Sequence, residues 1–269
     1  KNTVKQRVEA QYPIITPGEE TYTIHLDRSA IRKDGTSFID KDVHKRFDNI
    51  SWKKAVLELH NPNNINKKDR TQFFAKLNIE SGKKIILIPG RLTEWKGQEL
   101  LIESLNILKT NFGYKNFVAI ILGSDQGRDT YRKKLVRLVE QHRLNNDVIF
   151  LEHANSMPVA YSIANVVVSA SIEPEAFGRV SVEAQSMKRP IIASDIGGSK
   201  ETIIDNRTGL LFKSEDPKSL SEKIDNIFRS DDTTLNAMGN SGRKNVEQKF
   251  NVEKMCFSTY SEYKKLINA

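Results

Sequence analysis

Two cations and two carboxylates sit in turns and helix starts that follow apolar runs, and their spacing suits one kind of chemistry. The stretch Gly90-Arg91-Leu92-Thr93-Glu94-Trp95-Lys96-Gly97 follows the apolar run 84–89. Arg91 can fork onto two oxygens and Lys96 acts as a point charge, so together they suit a diphosphate. Gly90 permits a sharp exit from a strand, and Gly97 opens a helical pattern whose free N–H groups favour anions. The same residues also read as a charged loop with helix partners of its own. Further on, Glu173-Pro174-Glu175-Ala176-Phe177-Gly178-Arg179-Val180-Ser181-Val182-Glu183 follows the run 166–170. Glu175 falls in the loop and Glu183 in the helix after it, with Gly178 near that helix's start. Carboxylates beside a diphosphate repel it unless they accept from flanking hydroxyls. A nucleotide-sugar supplies such hydroxyls on both sides. The plainer alternative makes Glu183 a helix acid and Glu175 a surface loop residue.

Two further turns share this placement. Leu122-Gly123-Ser124-Asp125-Gln126-Gly127 leaves a strand, but its glycine spacing is not G-x-G-x-x-G, which argues against a dehydrogenase. Ser194-Asp195-Ile196-Gly197-Gly198 leaves another; its paired glycines either let backbone pass close to a ligand or form a flexible connector. His25, His44, His60 and His142 have no ligand spacing and read as surface or core residues, and His153 alone follows a strand end beside the crevice. Trp95 either stacks or caps its loop. Cys256, between Met255 and Phe257, reads as packing. No Ser–His–Asp set or metal cluster is visible, so no metal is expected.

The elements that must position these residues alternate regularly from residue 83 onward. Strands are expected at 84–89, 117–122, 148–151, 166–170, 190–194 and 209–212, each short and aliphatic or β-branched. Helices are expected at 97–110 and 129–143, with leucines on one face, and at 217–229, 233–249 and 252–267. Near-continuous apolar strands alternating with helices indicate an α/β, doubly wound parallel sheet, in which ligands bind beyond the strands' C-terminal ends. Residues 1–80 are more polar, with turn signals at Pro13, Pro17, Asp34 and Asn61. A strand at 22–26 and helices at 51–59 and 68–77 are the elements expected there. The division is therefore 1–80, an incomplete N-terminal region, and 81–269, a Rossmann-like domain with C-terminal helices.

Composition narrows the classes. The chain has 269 residues, of which 38% are hydrophobic, enough for a sizeable core. No apolar run is long enough to span a bilayer. One cysteine excludes a disulfide framework and a cysteine-based zinc site. The formal net charge of +8 admits nucleic acid, an anionic membrane or anionic ligands. Basic residues are spread among nearly as many acids with no aromatic interleaving, so nucleic acid is not expected as a partner. The chain opens on Lys1 rather than Met, without a charged-then-apolar leader. The expectation is no signal peptide, something missing upstream, and a cytoplasmic location with peripheral contact at the anionic inner membrane face.

Together these stretches resemble the C-terminal, donor-binding half of a family 4 retaining glycosyltransferase of the GT-B fold. The resemblance rests on G-R-L-x-x-x-K-G (Gly90–Gly97), the E-x7-E pair Glu175 and Glu183, the strand-loop Ile192–Gly198, and Asn155–Ala164, which is similar to the family's linker ahead of the E-x7-E strand. It covers residue 83 to the C-terminus. It implies that Arg91 and Lys96 hold the donor diphosphate, that Glu175 binds the sugar hydroxyls, and that backbone at Phe177, Gly178, Arg179 and Val180 faces the sugar and phosphate. It implies further that Glu183 holds the ribose, that the base lies near 151–153 at His153, and that Gly90 shapes the turn. The reaction implied moves a hexose from a UDP- or GDP-linked donor to a glycolipid, polysaccharide or lipopolysaccharide acceptor, without a cofactor. Relatives place an acceptor-binding domain with a glycine-rich loop ahead of this half. Here about eighty residues precede it without that loop, so a partner chain supplying the domain is one expectation. The alternative is a non-catalytic nucleotide-sugar-binding remnant or subunit. The helix at 252–267, with Met255, Phe257, Tyr260 and Leu266, is then a partner surface.

Overall fold

The computed structural model describes residues 9–10, 24–25, 57, 59–127 and 129–250. The chain divides into two units, Lys1–Glu58 and Leu59–Ala269. In the first, β1 (Glu9–Ala10) pairs antiparallel with β2 (Ile24–His25), Glu9 opposite His25. The strand expected at 22–26 is therefore present at Ile24–His25. The helix expected at 51–59 lies mostly outside the described residues, and its far end is a turn at 59–60. The helix expected at 252–267, with Cys256, also lies outside them.

The second unit is a six-stranded parallel sheet. In chain order its strands are β3 (Lys84–Pro89), β4 (Phe117–Leu122), β5 (Val148–Leu151), β6 (Val166–Ser169), β7 (Ile191–Ser194) and β8 (Leu210–Phe212). The spatial order is β5-β4-β3-β6-β7-β8. The helices are α1 (Lys67–Lys76), α2 (Gln98–Thr110), α3 (Asp129–Gln141), α4 (Met157–Ile163), α5 (Arg179–Ser186), α6 (Ser199–Thr202), α7 (Pro217–Arg229) and α8 (Asp232–Lys249).

Strand alternation explains why both faces are covered. Ile86 and Ile88 of β3 enter one apolar cluster with Leu101, Leu105 and Leu108 of α2, Leu135 of α3 and Ile224 of α7. Ile85 and Leu87 point the other way, into a cluster with Ala160 and Tyr161 of α4, Ala184 of α5 and Phe73 and Phe74 of α1. Successive side chains leave opposite faces, so a strand apolar at every position must be roofed twice. Side-chain caps fix several helix starts. Asn66 accepts from Lys68 N–H at 2.9 Å and Asp216 from Ser219 N–H at 3.0 Å.

The segment 155–164, which joins β5 to β6, is helical in its middle: residues 157–163 form α4, buried from Val159 through Ile163. Its burial on nearly every side leaves no amphipathic period to read. Gly97 also has a role other than the anion-binding helix start expected. Its N–H donates to Glu94 O at 3.0 Å and its φ is +70°, while a Cβ there would lie 1.9 Å from Ala170 O. The absence of a side chain lets the start of α2 pack directly on the exit of β6.

Gly97→Ala should therefore destabilise the domain by about 2–4 kcal/mol. Urea unfolding measures this, and an unchanged midpoint would contradict the packing.

Candidate active site

Numbered within the sheet, the strand order is that of a doubly wound fold whose halves diverge between β3 and β6. The two strands are adjacent, Ile86 beside Val166 and Leu87 beside Val167. Beyond β3 the chain turns to α2 on one face, whereas beyond β6 it turns to α5 on the other. The exits leave in opposite directions and a crevice opens between them. There lies a cavity of about 530 Å³. Gly90, Arg91, Trp95 and Lys96 line one side of it; Glu175, Phe177, Gly178, Arg179, Val180 and Glu183 line the other. Of the site residues expected from sequence, His153 does not line it: it is exposed two residues beyond β5, the edge strand.

The first loop is held from below and beside. Gly90 N–H donates to Leu122 O at 2.8 Å, and Leu92 N–H to Ser124 O at 3.0 Å. Gln98, fully buried, donates its amide to Arg91 O at 2.9 Å and accepts from the Tyr131 hydroxyl at 3.3 Å. The Arg91 side chain is exposed and has no ion pair among the described residues. Trp95 lines the cavity, and Lys96 Nζ stands 4.2 Å from its ring centroid.

Lys96 Nζ also donates to Glu175 Oε1 at 2.8 Å, each side chain about 15% exposed. Ser171 Oγ donates to the same oxygen. This ion pair joins the loop after β3 to the loop after β6. Neither loop is free to drift, since Ile172 N–H also donates to Trp95 O at 2.8 Å.

The second loop rests on a third. Gly198 N–H donates to Glu175 O at 2.7 Å, and a Cβ at Gly198 would sit 2.6 Å from the Phe177 carbonyl carbon. The paired glycines thus accommodate the neighbouring Glu175–Phe177 backbone. Gly178, at φ +73°, is the N-cap of α5, and no side chain caps that helix. Its first N–H groups accordingly lack intrahelical acceptors at the cavity wall.

Glu183 is only 9% exposed. Its Oε2 accepts from the Tyr161 hydroxyl at 2.8 Å and its Oε1 from Arg179 Nη2 at 3.2 Å. His60 Nε2 is 3.9 Å from the same Oε2, and its ring meets Tyr161 edge-on at 5.7 Å. Neither Tyr161 nor His60 was singled out by sequence reading. His60 reads there as a surface or core residue and Tyr161 only as part of 155–164, and the three-dimensional contact identifies both. Among the described residues no group of three or more His, Cys, Asp and Glu is placed to hold a metal, and no helix is long and apolar enough to cross a membrane.

Comparison with known proteins agrees with this architecture. The chain is 30% identical over 161 residues, 60% of its length and 40% of the relative's, to the capsular polysaccharide biosynthesis glycosyltransferase CapM of Staphylococcus aureus. A glycosyltransferase structure from Rickettsia africae superposes with a TM-score of 0.71 at 29% identity, over 78% of this chain and 55% of that one. HepE of Anabaena, solved with UDP and glucose, shares the fold with a TM-score of 0.68 at 23% identity, over 77% and 55% of the two chains. The chain spans about half the length of the curated relatives it matches. The pattern of the family described as glycosyl transferases group 1 matches residues 69–245, which contain the whole cavity lining. The chain belongs to that glycosyltransferase family.

Proposed function

We propose that the β3–β6 crevice binds the nucleotide-sugar donor of a retaining, family 4 hexosyl transfer, and that this chain is the donor half of that enzyme. The observation that carries the reading is the convergence of Arg91, Lys96, the uncapped start of α5 and two carboxylates on one cavity. Its support from relatives is that HepE was solved with UDP and UDP-glucose. A UDP- or GDP-linked hexose fits this chemistry, with no cofactor required. The acceptor class proposed is a glycan or lipid-linked glycan, in polysaccharide or lipopolysaccharide biosynthesis, in keeping with the name of CapM.

In this reading the diphosphate lies between Arg91, Lys96 and the N–H groups of Arg179 and Val180. The base lies toward the β5 exit, at His153. Lys96 meets Glu175 in the structure, so the arriving phosphate must take Glu175's place. The exchange is favourable because the ammonium is never left without an anion, which in a half-buried site would be costly. Glu175, released, turns to the sugar hydroxyls. As the bond from sugar C1 to phosphate oxygen breaks, its electrons stay on the diphosphate. Arg91, Lys96 and the helix start stabilise the growing charge. The acceptor oxygen bonds C1 on the same face, its proton passing to a phosphate oxygen, so configuration is retained. A second segment or chain supplies the acceptor side, and the net charge of +8 suits peripheral contact with anionic lipid in the cytoplasm.

Titration of UDP, GDP and ADP tests the reading, and no saturable binding of any would overturn it. Arg91→Ala should weaken the bound nucleoside diphosphate by about 10- to 100-fold, from the loss of a charged hydrogen-bonding partner, and the parent nucleoside by less than about twofold. Equal weakening of both would contradict the diphosphate assignment. Glu175→Gln should do two opposite things. It removes the anion competing for Lys96, so UDP or GDP binds about three- to tenfold tighter, while sugar transfer falls by about 100-fold. Isothermal titration and a donor-hydrolysis assay read the two, and a variant with weaker nucleotide binding would contradict the exchange.

A further inference from the structure

Glu183 is held from behind by a residue that does not itself line the cavity. Tyr161, on α4, is fully buried, and its hydroxyl donates to Glu183 Oε2 across 2.8 Å. Burial, together with the neighbouring Glu183 charge, pushes the hydroxyl's pKa well above its ordinary value. The group is therefore a proton donor at any working pH. Its ring cannot swing freely, because His60 packs edge-on against it at 5.7 Å.

A carboxylate offers about four lone-pair positions on two oxygens. Here Tyr161 occupies one on Oε2 and Arg179, at 3.2 Å, one on Oε1. His60 Nε2 stands 3.9 Å from Oε2, beyond hydrogen-bonding distance, so one position on each oxygen is left for a ligand, and a pair of adjacent hydroxyls matches that arrangement with two donors. We infer that Tyr161 is a positioning residue: it turns the Glu183 carboxylate so that both oxygens meet the two ribose hydroxyls of a nucleoside diphosphate, and so sets the site's preference for an intact ribose. The inference rests on the reading of Glu183 as the ribose partner. Arg179 cannot do this alone, because its side chain is 61% exposed and holds only one oxygen.

The test is the binding of UDP and GDP against their 2′,3′-dideoxy forms, to the wild-type chain and to Tyr161→Phe. Wild type should prefer the intact ribose by about tenfold or more, as expected for hydrogen bonds to a charged group. Tyr161→Phe should lose most of that preference, weakening the ribonucleotide by about tenfold while the dideoxy form changes less than about twofold. Equal losses on both forms would make Tyr161 merely structural and overturn the inference, as would an unchanged preference. A wild type indifferent to the ribose hydroxyls would instead overturn the Glu183 assignment, and the inference with it. Tyr161→Phe could leave a buried carboxylate short of a donor and fail to fold. Glu183→Gln and the double variant Tyr161→Phe/Glu183→Gln then give the answer. If Tyr161 acts only through Glu183, the double variant binds UDP or GDP as Glu183→Gln does; a further loss of about tenfold would overturn the inference.

Discussion

The site depends on the ion pair between Lys96 and Glu175, 2.8 Å long and closed to most solvent. It is the side-chain bond that ties the two halves of a doubly wound sheet together where they diverge. Without it the two loops would carry, between them, an unmatched ammonium and an unmatched carboxylate in a half-buried crevice. Such charges are costly unless paired. The pair thus joins the two loops across the crevice. In the proposed reading the group that meets Lys96 is an anion, and Glu175 takes another partner. A diphosphate joined to a hydroxyl-rich sugar meets both requirements.

The rest of the crevice is built so that this pair forms in one place. Backbone does most of the positioning: the loop after β3 hangs on Leu122 O and Ser124 O, and the loop after β6 on Trp95 O. Close approach through glycine does the remainder. A Cβ at Gly97 would fall 1.9 Å from Ala170 O and one at Gly198 2.6 Å from the Phe177 carbonyl carbon, so either would push neighbouring backbone away. A buried polar side chain, Gln98, finishes the frame by holding Arg91 O while Arg91's own guanidinium points to open space. Rigid backbone that fixes its charged side chains in advance suits the charged ligand proposed.

Much of this was legible in the sequence, for identifiable reasons. Strands β3, β4 and β5 fall at the residues expected because each apolar run is bounded by charged or turn residues; β6, β7 and β8 are shorter by a residue because the edge of an apolar run is not the edge of its hydrogen bonding. The helices with a charged outer face, α2, α3, α7 and α8, could be read from periodicity. The short helix α4 could not, being buried almost all round, and with it Tyr161 was lost to view. The types and order of the cavity residues could be read, but not who holds whom. The contact of Lys96 with Glu175, and that of Gly198 with the Glu175–Phe177 backbone, appear only in three dimensions. His153 follows β5, the edge strand, and stands outside the cavity lining, a distance that spacing along the chain does not reveal.

The most direct measurement of the account is a crystal structure of the chain with UDP or GDP bound. The diphosphate should lie in the β3–β6 crevice within hydrogen-bonding distance of Arg91 and Lys96, with Lys96 Nζ withdrawn from Glu175. A nucleotide seated elsewhere, or seated here with the 2.8 Å contact between Lys96 and Glu175 intact, would contradict it.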